Sequence, residues 1–450
     1  MGTIEAMRCD LTPNLWLGSK LPPPLALPAR AAAQLVEASA SALRALSWVL
    51  DVHLRRDPRL IAEILGLSNQ EDWVALLLNS GRFDAGIHRC DVVMQGGEPK
   101  ILECNVGNAG GWMLAAKLNM YRAPNAGASH STGWQTVDTV GALMEYLLSE
   151  LSRKTSDEDS PRLIGLIVDR ACTESEFDDL LLAHCRSQLR LAMVNAGSPS
   201  NVEIDYVDWS NLQCTRDVRR DGRRIDLIVE LDIVPSPQRL LVTELAAEKQ
   251  VKFMAGPFAR IANDKRLLCV LSAWLRRGND IPGVNADLLR RTLPRTRILR
   301  KNALHDMECE KEELRRKRPE LVLKKAVSDG GTDVYVGATM DIAIWNQVVD
   351  LAVEEEGWIV QDWMEPDLEW GLGSLYPMHV VWGPFFIRGQ FSGGFGRLLS
   401  LDGYAPSKDT IGSEANRCAV AASSNSDTRI DVLPFYWPEG CSLNTCLPKT

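Results

Sequence analysis

Two short runs of alternating residues, Arg89–Met94 and Lys100–Val106, are separated by Gln95-Gly96-Gly97-Glu98-Pro99. Gly, Pro and polar residues between two alternating runs mark a β-hairpin. Side chains alternate faces along a strand, so Arg89, Asp91 and Val93 share one face, with Cys90 and Val92 on the other. On the second strand Ile101, Glu103 and Asn105 share a face, and Leu102, Cys104 and Val106 point away. With the turn centred near Gly97, Asp91 lies opposite Glu103 and Arg89 opposite Asn105. Two carboxylates about 5 Å apart repel unless a cation or a proton sits between them. Hard oxygen ligands suit Mg²⁺, which takes one or two carboxylates together with substrate phosphates. Asn105 adds a neutral carbonyl oxygen, and Arg89 can clamp a phosphoryl oxygen or pair with Asp91. The alternative is a surface ladder of salt bridges. Beyond Asn105, Gly107, Gly110 and Gly111 permit close backbone approach, and the helical run after them can aim N–H groups at an anion.

A chain of 450 residues exceeds one ordinary core and suggests roughly two to four packed units. Helices are expected over Ala29–Val52, Pro58–Leu65, Gln70–Leu78 and Thr136–Leu151, ahead of a polar linker, Ser152–Pro161. Strands Leu163–Val168, Val202–Val207 and Ile225–Glu230 then alternate with a helix over Glu176–Ala192, the pattern of an α/β layer on a mainly parallel sheet. Phe253–Ala262, apart from Pro257, and Lys265–Arg277 read as helices. Met378–Leu401 reads as antiparallel strands with Gly-rich turns, and the tail beyond Asn416 starts helical.

A second constellation lies downstream. Lys324 or Lys325 ends the strand Leu321–Lys325, where a lysine can reach a nucleotide phosphate. Ser328, Gly330 and Gly331 follow in a turn that can supply backbone N–H donors. The segment Gln361-Asp362-Trp363-Met364 leaves an apolar strand and can offer backbone groups to an adenine edge, with Gln361 or Asp362 accepting from its amine. Arg388 and Arg397 flank a Gly-rich turn, and Arg397 is a candidate clamp on a phosphoryl group or a carboxylate. Asn263-Asp264-Lys265 either caps a helix or adds a phosphate-binding Lys265.

Several classes are excluded. A net charge of −9 argues against a nucleic-acid partner. The basic clusters Arg216–Arg224, Arg290–Lys301 and Lys311–Arg318 are solvated faces, or for the last two a charged lid. No apolar run reaches membrane-spanning length. Eleven Cys, an odd number without CxxC spacing, and no signal-like opening indicate a reducing cytoplasmic setting. Cys90 and Cys104 face away from the carboxylates. His88 is the histidine nearest the site, and no Ser-His-Asp, Cys-His or HExxH arrangement can be assembled.

Arg89-Cys90-Asp91 and Glu103-Cys104-Asn105, with the downstream lysines and glycines, resemble the circularly permuted ATP-grasp enzymes, especially the synthetase domain of the glutathionylspermidine synthetases. The resemblance spans roughly residues 80 to 400. It implies Mg²⁺ on Asp91, Glu103 and Asn105, and ATP on Lys265, Lys324, the Ser328–Gly331 turn and the Gln361–Met364 hinge. It implies catalytic roles for Arg89 and Arg397. The family activates a carboxylate as an acyl phosphate and passes it to an amine, here an amino acid or small peptide. The α/β fold would divide into a helical region (1–80), the Mg²⁺ hairpin with a helical segment (81–160), a preATP-grasp-like domain (161–260), a nucleotide lid (261–360) and a C-terminal ATP-grasp portion (361–450). Departures are Lys325 where the family usually has Pro, an atypical loop after Asn105, and no amidase domain. The alternatives are a phosphotransferase and a non-catalytic ATP-binding scaffold. The acid, the amine and the oligomeric state stay open.

Overall fold

The computed structural model describes residues 25–107, 109, 112–113, 116, 134–135, 137–152, 162–167, 175–197, 201–231, 236–299, 304–328, 333–369, 378–399 and 432–438. Gly330, Gly331 and the stretch 416–431 lie outside them. After a short strand, β1 (Leu25–Ala26), helix α1 (Ala29–Trp48) starts directly behind Pro28. It buries a stripe of Ala32, Leu35, Val36, Leu43 and Leu46 and runs on as a π-turn, Val49–Leu54. Asp57 caps α2 (Pro58–Ile64) by accepting from the Leu60 N–H at 3.1 Å, and α3 (Glu71–Ser80) completes a helical layer.

The expected hairpin follows as β2 (Ile87–Gln95) and β3 (Glu98–Asn105), then β4 (Trp134–Gln135) and α4 (Thr139–Ser152). The second unit runs β5 (Arg162–Ile167), α5 (Ser175–Asn195), β6 (Val202–Val207), β7 (Gln213–Cys214), β8 (Val218–Arg220), β9 (Arg223–Glu230), α6 (Pro237–Ala247) and β10 (Lys252–Met254). Helices α7 (Pro257–Ala262), α8 (Lys265–Arg276) and α9 (Ala286–Thr292) lead to β11 (Thr296–Leu299), α10 (Leu304–Arg316), β12 (Leu321–Lys325), β13 (Val334–Val336), α11 (Ile342–Glu354) and β14 (Trp358–Asp362). The last strands are β15 (Leu368–Glu369), β16 (Met378–Ile387), β17 (Gln390–Leu399) and β18 (Val432–Pro438).

Among the described residues the strands form three sheets. The largest has the order β1-β18-β17-β16-β2-β3, with β15 on β16 and β4 on β18, so the early hairpin is hydrogen-bonded to the late strands. The second has β6, β5, β9 and β10 running parallel, as the alternation of strand and helix predicts, with β8 and β7 antiparallel at one side. The third, β11-β14-β12-β13, is antiparallel throughout.

Two expectations are corrected. Phe253 does not begin a helix. Lys252–Met254 is β10, paired with β9, and the helix starts only at Pro257. Proline can open a helix but breaks its interior, and Phe253 instead packs edge-on against Trp209 at 5.9 Å. The glycine run Gly393, Gly394 and Gly396 lies inside β17, and the turn falls at Arg388-Gly389. A Cβ on Gly393 would come within 2.4 Å of the Thr139 hydroxyl, so glycine is needed where the start of α4 presses on the strand. There the Thr139 hydroxyl donates to the Ser392 carbonyl at 2.7 Å.

The hairpin turn is tied to the segment after β14. Gly96 and Gly97, at φ +60° and +75°, both donate backbone N–H groups to the Asp367 carboxylate at 2.9 Å. The Asp367 N–H donates back to the Met94 carbonyl at 2.6 Å. Asp367→Ala removes two charge-assisted bonds from a solvent-exposed clamp and is expected to lower stability by about 0.5–1.5 kcal/mol. Urea denaturation midpoints compared at constant slope measure it.

Candidate active site

The register of the hairpin is the one alternation predicts: Arg89 faces Asn105, Cys90 faces Cys104 and Asp91 faces Glu103. Beyond that point the ladder slips, because Val92 pairs with Ile101 and Leu102 is an extra residue in β3. A bulge of this kind reverses the alternation on the bulged strand. Ile101 is therefore not on the Glu103 face. It joins Cys90, Val92, Met94, Cys104 and Val106 in the core under α1. The bulge also matters to the site, because the Leu102 carbonyl accepts from Lys324 Nζ and from Gln361 Nε2, each at 3.2 Å.

Asp91 is gripped by two guanidiniums. Arg89 Nε donates to its Oδ1 at 2.7 Å, Arg89 Nη2 reaches Oδ2 at 3.3 Å, and Arg397 Nη2 donates to Oδ2. Arg397 comes from β17, and the Phe395 ring lies 5.2 Å from the Arg89 guanidinium. Burial alone would raise the Asp91 carboxyl; Arg397 and Arg89 outweigh it and hold the group below the ordinary carboxylate value.

Glu103 meets the other half of the cluster. Lys265 Nζ, at the start of α8, lies 3.1 Å from its Oε1 and donates to the Ser328 carbonyl at 3.0 Å. Lys324 and Gln361 share a face of the antiparallel sheet, since Lys324 pairs with Ile359 and Gln361 with Val322. Gln361 Oε1 accepts from Lys324 Nζ at 2.7 Å, while its Nε2 also donates to the Thr296 hydroxyl at 3.1 Å. Burial pushes the Lys324 ammonium down to about 8, with Glu103 pulling the other way.

The two lysines point to different faces: Lys325 lies on the one opposite Lys324, 3.3 Å from Glu355 and against the Trp358 ring. The hinge divides likewise. Asp362, Trp363 and Met364 line a separate cleft of about 530 Å³ with Arg295, Arg297 and Lys317. The Asp362 and Trp363 N–H groups already donate to the carbonyls of Arg295 and Glu320, at 2.9 and 2.7 Å. Beside Glu103 and Lys265 the free space is about 10 Å³, room for about one water. Among the described residues, His, Cys, Asp and Glu do not gather in threes at metal-binding range. The oxygen set of the hairpin is two carboxylates and the Asn105 amide.

The bland readings hold at several other positions. Arg219, Arg220, Arg223 and Arg224 each pair with a nearby acid, as do Lys311, Arg315 and Lys317. Asp264 caps α8 by accepting from the Arg266 N–H at 2.9 Å. Cys90 and Cys104 bring their Sγ atoms to 3.5 Å, and the hydrogen bond between them together with burial pushes the Cys104 thiol up, away from nucleophilic character. No helix among the described residues is long and apolar enough to cross a membrane. Sequence reasoning missed Thr296 and the Leu102 carbonyl, and it read Asn263 only as a possible helix cap, whereas its Oδ1 accepts from the Val106 N–H. It noted only that His88 was near; its Nδ1 accepts from the Gly107 N–H at 2.9 Å. None of these contacts has a local sequence signal, because each partner is far along the chain or is backbone.

No protein-family model and no curated protein matches the sequence. Among solved structures, the apo form of a glutathione synthetase-like effector from Globodera pallida is similar at TM-score 0.50 and 12% identity, covering 84% of this chain and 82% of that one. D-alanyl-alanine synthetase A from Vibrio cholerae overlaps at TM-score 0.29 and 12% identity, over 62% of this chain and 74% of its own, too loosely to carry an argument. The first likeness shows the fold, a mixed α/β architecture shared with that effector.

His88 supplies a pH test of this core. Burial pushes its imidazole from the ordinary 6.5 down to about 4. The unfolded chain therefore binds the extra proton between those values. Stability is full above pH 6.5 and falls as the pH drops towards 4, by about 3 kcal/mol from this residue. Urea titrations at pH 7.0 and 4.5 measure it, and His88→Asn should flatten the dependence.

Proposed function

We propose that the protein is an ATP-dependent carboxylate–amine ligase, ADP-forming, acting on an amino acid or small peptide in a reducing, cytoplasmic setting. The observation that carries this reading is one juxtaposition. Two carboxylates on one hairpin, Asp91 and Glu103, face two buried lysines delivered by other elements, Lys265 from α8 and Lys324 from the antiparallel sheet. A nucleotide triphosphate with its divalent cation requires both signs of charge at close quarters. The permuted order is supported by the hairpin's place beside β16 and β17 in one sheet, although it precedes the lysine-bearing strands in the chain. The five-part division of the sequence is proposed on the same grounds.

The donor set fits Mg²⁺ in kind. Asp91, Glu103 and Asn105 each bring a hard oxygen to the hairpin, and the buried Asn105 Nδ2, which has no hydrogen-bond partner, is a donor suited to a phosphate oxygen beside the ion. When bound, Mg²⁺ would neutralise charge on the nucleotide phosphates. The protein's own groups do the rest. Lys265 and Lys324 bind phosphate oxygens, and Ser328, Gly330 and Gly331 cover them. Asp362, Trp363 and Met364 would flank the base from their own cleft, while Gln361 holds Lys324 on the other face of the sheet. An oxygen of the substrate carboxylate attacks the γ-phosphorus and ADP leaves. The amine then attacks the acyl carbon, phosphate leaves and the nitrogen gives up a proton. Arg89 and Arg397 hold the developing negative charge, which their position on Asp91 allows only by exchanging a carboxylate for a phosphoryl oxygen.

A second reading, a non-catalytic scaffold, has an observation of its own: the carboxylates already have protein cations as partners, and little space separates the two halves. Release of ADP across a panel of amino acids and short peptides, with mass spectrometry of the products, separates the readings. Ligation gives ADP and a product lighter by one water than its two substrates. A phosphotransferase gives a substrate carrying a lasting phosphate, and a scaffold gives no ADP with any pair. Glu103→Gln is expected to lower Mg²⁺-dependent turnover by at least about 100-fold, roughly the loss of 3 kcal/mol of transition-state stabilisation, with an unchanged circular dichroism spectrum. Full turnover in that variant contradicts the assignment.

A further inference from the structure

The chain that leaves Asn105 is held in an unusual way. Strand β3 ends at Asn105, and the next two backbone N–H groups do not enter a sheet ladder. Val106 donates to Asn263 Oδ1, and Gly107 donates to His88 Nδ1 at 2.9 Å. The Gly107 carbonyl then accepts from the Ile87 N–H at 3.0 Å, and Ala109 N–H donates to the Ile87 carbonyl at 3.1 Å. Each side chain that receives an N–H stands beside a charged residue of the cluster. His88 immediately precedes Arg89 on β2. Asn263 lies two residues before Lys265.

The local geometry leaves little freedom. A Cβ on Gly86 would come within 2.1 Å of the Gly107 carbonyl oxygen, and one on Gly107 within 3.0 Å of the Ala259 Cβ. Gly107 sits at φ +85°, in the left-handed region that favours glycine. His88 is 3% exposed and packs 5.4 Å from the Phe83 ring. With Nδ1 accepting, the proton is on Nε2, and that buried atom has no hydrogen-bond partner. Leaving a buried donor unmade costs free energy that an apolar side chain would avoid. What an apolar side chain lacks is the acceptor at Nδ1.

We infer that His88 and Asn263 are positioning residues, a two-point latch that fixes the Val106–Gly107 backbone and through it the Asn105 side chain relative to Arg89 and Lys265. The latch is independent of any ligand. Its consequence for Asn105 as a metal ligand rests on the proposed ATP-dependent reading.

Two pairs of variants test it. His88→Leu and Asn263→Leu remove the acceptors; His88→Asn and Asn263→Asp keep an oxygen near the lost position. Hydrogen exchange at the Val106 and Gly107 amides is the first readout. At least about tenfold faster exchange is expected in the leucine variants, and within about threefold of the parent in the acceptor-retaining ones, with the β2–β3 ladder unchanged. The second readout is the concentration of Mg²⁺ giving half-maximal ADP release, expected to rise about tenfold in the leucine variants with a smaller change at saturating Mg²⁺. Unchanged exchange in both leucine variants overturns the latch. Faster exchange with an unchanged Mg²⁺ requirement reduces the pair to scaffolding and overturns the positioning role. If the parent protein releases no ADP, the ligase reading fails separately. Affinity for Mn²⁺ alone then takes the place of the second readout, and equal affinity in parent and leucine variants overturns the positioning role. Should His88→Leu not fold, the Asn263 pair carries the same comparison.

Discussion

Asp91 and Glu103 stand directly opposite each other on a two-stranded hairpin, and two carboxylates in that arrangement repel. The surrounding structure is organised around that constraint. Arg89 from the same strand and Arg397 from β17 converge on Asp91, while Lys265 from α8 reaches Glu103. Lys324 enters from the antiparallel sheet and donates to the carbonyl of Leu102, the extra residue at the bulge in β3. Four cations from four separate elements thus meet around two acids. The Asp367 clamp on the Gly96-Gly97 turn ties the hairpin tip to the segment between β14 and β15.

Much of this was legible in the sequence because it follows from alternation, a local property. The opposition of Asp91 to Glu103 and of Arg89 to Asn105 required only the turn position and a period of two. The parallel second sheet followed from strands alternating with helices. What escaped depended on distant contacts. Nothing near Ile101 signals the bulge that moves it into the core beneath α1. Phe253 reads as helical by composition and becomes strand because β9 offers an edge. The glycines of β17 look like a turn, but Gly393 is there to admit Thr139, which is far away in the sequence. Alternation alone separates Lys324 from Lys325, yet which face meets the hairpin is decided by packing on α10 and α11, where Leu323, Tyr335, Trp358 and Val360 are buried.

Fold and site carry different weights. The fold is shared with a glutathione synthetase-like effector at low identity, and fold alone does not specify chemistry. The site is marked by charge: acids whose neighbours are cations, a buried donor without a partner at Asn105 Nδ2, and a lysine whose ammonium burial has weakened. Under the proposed function they form a site for a polyanion and a hard cation together, in which protein ion pairs would be exchanged for ligand ones.

The most direct measurement is Mn²⁺ binding followed by electron paramagnetic resonance, with and without an unhydrolysable ATP analogue. The account predicts that the nucleotide tightens Mn²⁺ binding to the parent protein by tenfold or more, about 1.4 kcal/mol of coupling, and that Asp91→Asn abolishes the effect. Mn²⁺ binding that ignores the nucleotide, or that survives unchanged in Asp91→Asn, would contradict it.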